Sequence, residues 1–191
     1  SLIALLFVAS MAKGQVVATI QAPPFDGGQA VLSAPSGSPN TNYRRTSFLI
    51  LQSELTALAL TSNSITNIAF SLLQGVNAAA AGQATLYLEN TTDVTYSKTT
   101  NWATILTGMT PYYTGAFNLP TTATNINMAL SPNGFVYTGG GIYVALDWYG
   151  ANTSATQFAV YASNYTGLTG GCVAGSTGTA GPAPTTLTPT N

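Results

Sequence analysis

Residues 137–149 read Y-T-G-G-G-I-Y-V-A-L-D-W-Y, and no other stretch restricts the fold of this chain as tightly. Behind three glycines, Ile142, Val144, Leu146 and Trp148 alternate with Tyr143, Ala145, Asp147 and Tyr149. Successive side chains of a strand point to opposite faces, so a period of two predicts a half-buried strand with four large apolar side chains inward. Gly139, Gly140 and Gly141 provide the backbone freedom for a tight entry into it. Burying each of the four is worth about 1.5–3 kcal/mol before ordering entropy is subtracted. Such a strand needs sheet neighbours and a second layer.

The rest of the chain offers both. Strand-like runs occur at 16–20, 47–52, 65–73, 84–90, 102–109, 112–119, 125–130 and 157–163, with Gly, Pro and Asn turn signals between them. Ile68, Phe70 and Leu72 share one face of their run, and Ile126, Met128 and Leu130 share one face of theirs. The run at 112–119 is expected to pair with the one at 102–109. Helical signal is confined to 53–60, one or two turns capped by Ser53. About eight short strands predict an all-β chain, an antiparallel β-sandwich of jelly-roll-like or immunoglobulin-like type.

Three regions follow. Residues 1–15 open with the apolar run S-L-I-A-L-L-F-V-A-S-M, too short to span a bilayer. They read as a signal-peptide remnant or as an apolar segment retained in the mature protein. Residues 16–166 form the sandwich domain. Residues 167–191 are rich in Gly, Thr and Pro and read as a tail or linker.

Charge is scarce: four Lys plus Arg and five Asp plus Glu in 191 residues, 5% where about 25% is usual. Four scattered cations cannot neutralise a phosphate backbone, which argues against nucleic acid as a partner. Hydrophobic content of 46% with so little net charge argues against disorder. There is no histidine, which removes Ser-His-Asp and Cys-His arrangements, histidine-bound zinc and the usual near-neutral base. Cys172 is the only cysteine, so no intrachain disulfide forms; it reads first as a partly buried small residue in a Gly-rich loop and second as half of an intermolecular bridge or the partner of a cysteine beyond these residues. No catalytic residue and no cofactor is expected.

Two weaker signals remain. Glu89 and Asp93 lie close together in Glu-Asn-Thr-Thr-Asp, which reads first as a strand end and turn and second as a weak calcium site. Trp102, Tyr112, Tyr113, Tyr143 and Tyr149 could stack on sugars if their rings face out, although Tyr and Trp also favour strands and fill cores. Asn90, Asn152 and Asn164 head glycosylation-type triplets, as chance alone provides in a chain rich in Asn and Thr.

Four segments in order, I-T-N-I-A-F from Ile65, A-T-L-Y-L-E-N-T-T-D from Ala84, N-W-A-T-I-L-T-G-M-T from Asn101 and Y-T-G-G-G-I-Y-V-A from Tyr137, carry a family likeness. Together with R-T-S-F-L-I-L-Q-S-E-L from Arg45, they resemble a β-sandwich module of secreted and cell-surface Bacteroidetes proteins, many exported by the type IX system. The resemblance implies an extracellular, non-catalytic structural or adhesive protein, a module of a surface adhesin or a subunit of an extracellular filament. Its partners would be further copies or further domains. A carbohydrate-binding accessory module of a secreted enzyme is the competing expectation, with glycans as partners.

Overall fold

A computed structural model describes residues 35, 42–60, 64–131, 133–150, 160–161, 171–178 and 181–189. The segment 1–15, the expected strand at 16–20 and the triplets at Asn152 and Asn164 lie outside them.

The described chain is antiparallel β throughout, with two short helices. In order it runs β1 (Tyr43–Ile50), α1 (Gln52–Ala57), β2 (Ser64–Ile65), β3 (Asn67–Gln74), β4 (Gly82–Thr91), α2 (Trp102–Ile105), β5 (Thr110–Ala116), β6 (Asn125–Ala129), β7 (Phe135–Val136), β8 (Gly141–Gly150), β9 (Val160–Tyr161), β10 (Cys172–Thr177) and β11 (Thr188–Pro189). Six strands make the main sheet in the order β11-β10-β1-β8-β4-β5. A three-stranded sheet, β6-β3-β9, and the β2-β7 ladder complete the strands. The expected all-β, sandwich-like architecture is what forms.

The alternating stretch becomes β8, which runs the length of both β1 and β4. Ile142, Val144, Leu146 and Trp148 point to one side. There they join Phe48, Leu86 and Leu88 of the same sheet and Phe70, Leu72, Ile126 and Met128 of the smaller one in a single core. Period-two patterning in β3, β4, β6 and β8 builds this layer, as the sequence predicts. Trp148 needs special room. Its Nε1 donates to Phe117 O at 3.0 Å, and its indole lies over Gly82 and Gly150, which pair across β4 and β8. A Cβ on either glycine would come within 2.4 or 2.1 Å of the ring.

The other side of β8 departs from expectation. Tyr143 and Ala145, read as surface positions, are 2% and 0% exposed, so β8 is buried on both faces over most of its length. A second core covers them, formed by Leu49, Val173, Trp102, Ile105, Met109 and Leu187. Two segments supply the cover, and the sequence reading placed both elsewhere.

Residues 102–109 are not a strand paired with 112–119. Asn101 Oδ1 accepts from Thr104 N at 3.1 Å, starting helix α2, and Gly108 at φ +87° turns the chain out after it. A local side-chain cap therefore prevails over β propensity, and β5 pairs with β4 instead. In the same way α1 begins after Leu51, where Glu54 Oε2 accepts from Leu51 N at 2.7 Å, and not at a Ser53 cap.

Nor is 167–191 simply a linker. Residues 172–177 form β10, paired with β1 from Tyr43–Thr177 to Phe48–Cys172. Residues 181–189 fold back over the second face, where Trp102 N donates to Thr185 O at 2.9 Å and Leu187 N to Thr100 O at 2.7 Å. Cys172 accordingly sits in a strand, buried, with Thr46 Oγ1 at 3.5 Å from its sulfur.

Candidate functional site

Chemistry-bearing side chains concentrate on the second face of the main sheet. Seven charged residues fall in the described part of the chain, and five of them, Arg45, Glu89, Asp93, Lys98 and Asp147, hold this face to its cover. Arg45 and Asp147 are register partners on β1 and β8, and their ion pair closes at 2.9 Å. Arg45 also donates to Pro184 O at 2.8 Å and lies 4.9 Å above the Trp102 ring. One guanidinium thus ties together strand, helix and C-terminal segment, which a planar fork with five donors can do and an ammonium cannot.

Lys98 binds the other end of the cover. Its Nζ donates to Ile105 O and Thr107 O, both at 2.9 Å, capping the end of α2, and it pairs with Glu89 at 2.5 Å. Beside it, Asp93 accepts from Ser97 Oγ and from Tyr143 Oη, each at 2.6 Å. Ser97 and Tyr143 together hold the Asp93 carboxyl below its ordinary value. Burial, followed by the Asp93 hydrogen bond, raises Tyr143. Tyr96 stacks edge-on against Tyr143 and is pushed up to about 12 by burial. Its hydroxyl and Ser47 Oγ are enclosed side by side without completing a hydrogen bond.

Glu89 and Asp93 therefore serve different partners, one an ammonium and the other two hydroxyls. Among the described residues no group of three Cys, Asp or Glu comes together in a way that could hold a metal.

The aromatic residues scatter. Trp102 is 5% exposed, so its ring cannot offer a stacking surface; it packs edge-on to Tyr87 beneath the cover. Tyr143 is likewise buried. Tyr112 is half-buried against Phe135, with ring centroids 5.3 Å apart, and Tyr113 turns its hydroxyl back to Ala116 O at 2.6 Å. Only Tyr149, at 49%, is well exposed.

Tyr149 is not alone, however. The register of the main sheet sets Thr177, Tyr43, Tyr149, Gln83 and Ala116 in one row across five strands, all on the second face. Tyr43 and Tyr149 pack with centroids 4.6 Å apart and planes tilted by 38°. The next row carries Arg45, Asp147, Thr85 and Thr114, with the two threonine hydroxyls 3.3 Å apart. Along the first of these rows Tyr149, Gln83 and Ala116 are exposed, whereas Thr177 donates to Pro182 O of the cover at 2.7 Å. Sequence reasoning missed Tyr43 and Gln83, because cross-strand register is invisible in one sequence and only Tyr149 lay in a recognisable strand.

An open cleft between β10 and the returning segment is lined by Arg44, Ser176, Thr177, Pro182 and Thr186. No helix among the described residues is long and apolar enough to cross a membrane. No family model, curated protein or solved structure matches the chain.

Proposed function

We propose that this chain is a non-catalytic, extracellular structural or adhesive β-sandwich, acting as a module of a surface adhesin or as a subunit of an extracellular filament. The observation that carries the reading is the use made of its few charges. Arg45, Asp147, Lys98, Glu89 and Asp93 contact strands, carbonyls and hydroxyls of the chain itself, and their work is to fasten a second covering layer. A sheet whose central strand is buried on both faces over most of its length and tied by long-range ionic contacts suits a part that must hold its shape. The Thr-, Asn- and Ser-rich surface and the resemblance to Bacteroidetes surface modules belong to the same proposal.

The test is location. An antibody against the folded chain is expected to label intact cells of the source organism, and external protease to remove that label. Signal that appears only after lysis would overturn the reading. Mass spectrometry of the mature N-terminus then separates the two forms. A start at Gln15 or Val16 takes the apolar 1–11 run out of any assembly and leaves the filament form without an apolar segment to add to a neighbour's sheet edge.

A further inference from the structure

We infer that the open end of the second face is a binding site for a neutral oligosaccharide, with Tyr149 and Tyr43 as the stacking surface and Gln83, Thr85 and Thr114 as its polar rim. This goes beyond the structural reading and holds for module and filament subunit alike.

Tyr149 and Tyr43 form a cross-strand aromatic pair, which by itself steadies the sheet edge. That role needs only the contact between the rings. It does not account for the outer half of Tyr149, which stays in water, or for the neighbours along the row. Neither tyrosine hydroxyl makes a hydrogen bond among the described residues. Gln83, exposed beside Tyr149, keeps both ends of its side-chain amide unengaged there as well. Thr85 and Thr114 follow in the next row. With strands about 4.8 Å apart, the row from Tyr43 to Ala116 spans roughly 14 Å, enough for a short chain of sugar rings.

The chemistry of the rim selects the ligand. A pyranose has an apolar C–H face that suits a tyrosine ring and an equatorial belt of hydroxyls that both donate and accept. An amide and two hydroxyls match that belt: the Thr85 and Thr114 hydroxyls share one proton between them, which leaves the pair one donor and free lone pairs beside the amide's donors and acceptor. The charges nearby cancel: Asp147 is paired with Arg45, and Arg45 is turned toward Trp102 and Pro184. A nucleic acid could stack its bases on the same rings, but the described cations nearby are only Arg44 and the Asp147-paired Arg45, too few to neutralise a run of phosphates. A second copy of the chain would need more apolar area than one tyrosine pair provides.

The experiment uses the whole chain on a printed panel of neutral oligosaccharides built on glucose, xylose, mannose and N-acetylglucosamine, followed by titration of the best binder. Binding to at least one member is expected. Tyr149→Ala should raise its Kd at least about tenfold, Gln83→Ala about threefold, and Tyr149→Phe, which keeps the ring, by less than Gln83→Ala. Val94→Ala, at an exposed site elsewhere, should bind as the native protein does. The inference falls if no panel member is retained at millimolar concentration, or if Tyr149→Ala with an unchanged melting temperature binds as tightly as the native chain. It falls equally if light scattering shows a dimer that Tyr149→Ala dissolves while no sugar binds, which makes the pair a copy-to-copy contact. Surface labelling without sugar binding would remove this site and leave the structural reading in place.

Discussion

The two faces of β8 are built from one strand by different means. Toward the smaller sheet, Ile142, Val144, Leu146 and Trp148 meet other apolar side chains, and the layer is held by close packing. Toward the cover, Tyr143, Ala145 and Asp147 meet a helix of one turn and a Thr/Pro segment, whose Trp102, Ile105 and Leu187 form a smaller apolar cluster with Met109. Hydrogen bonds and ion pairs there add to that smaller cluster. A chain with few charges places most of its described ones on this single face, where they fasten the cover. The general lesson is that burial of a strand face does not reveal how the burial is held.

This contrast can be broken at its strongest point first. Leu146→Asp buries an unpaired carboxylate in the first core, where Leu146 is 0% exposed, and should cost more than about 4 kcal/mol. The expected outcome is loss of the cooperative urea transition; a variant that melts like the native protein would mean the faces are assigned backwards.

On the second face the largest single loss should come from Arg45→Ala, which removes an ion pair, a carbonyl contact and a stacked cation together. Asp147 keeps some solvent contact, which tempers the cost to about 2 kcal/mol. The two tryptophans report on the faces separately, since Trp102 belongs to the second core and Trp148 to the first. In single-tryptophan versions of Arg45→Ala, Trp102 emission should shift to the red at lower urea than Trp148 emission. Coincident transitions would show that the cover is no less stable than the sandwich.

Tyr143→Phe should cost about 1 kcal/mol through the lost bond to Asp93. The pH dependence fixes its origin. Because the folded state lowers Asp93, its contribution is complete above the ordinary carboxylate value and is lost as pH falls through the lowered one. The stability gap between native protein and Tyr143→Phe should therefore be constant at neutral pH and narrow in strong acid. A gap that persists there would assign the loss to packing.

The smallest effect is expected at Tyr96→Phe. Its hydroxyl is enclosed without a hydrogen bond, so removing it should leave stability unchanged or slightly improved. The ionisation near 12 should vanish from the alkaline ultraviolet titration. A loss of 1 kcal/mol or more would show that the Ser47 contact is made in solution.

The first face was legible in the sequence because its signal is local and periodic. Ile68 to Leu72, Leu86 to Leu88, Ile126 to Leu130 and Ile142 to Trp148 each announce a face within a few residues. The second face has no such pattern. Its contacts join residues 102 and 139 positions apart, as in Arg45 to Asp147 and Arg45 to Pro184. Its helix depends on the Asn101 cap within a run of strand-forming residues. The segment 181–189 looks like a linker because Thr and Pro rarely build cores, yet Leu187 is 2% exposed. For the candidate sugar site, Tyr149 could be read from the strand, whereas its partners Tyr43 and Gln83 are brought beside it only by the register.

The bond from Arg45 to Pro184 also sets a schedule. At roughly 5–20 residues per second, the 139 positions between them take on the order of ten seconds to synthesise. Through that interval β1 and then β8 can exist while Trp102 and Tyr143 still lack their lid. A nascent chain thus shows an aromatic sheet face to whatever surrounds it until the residues around Leu187 arrive. Whatever protein binds the nascent chain in that interval would meet a face that the finished molecule hides.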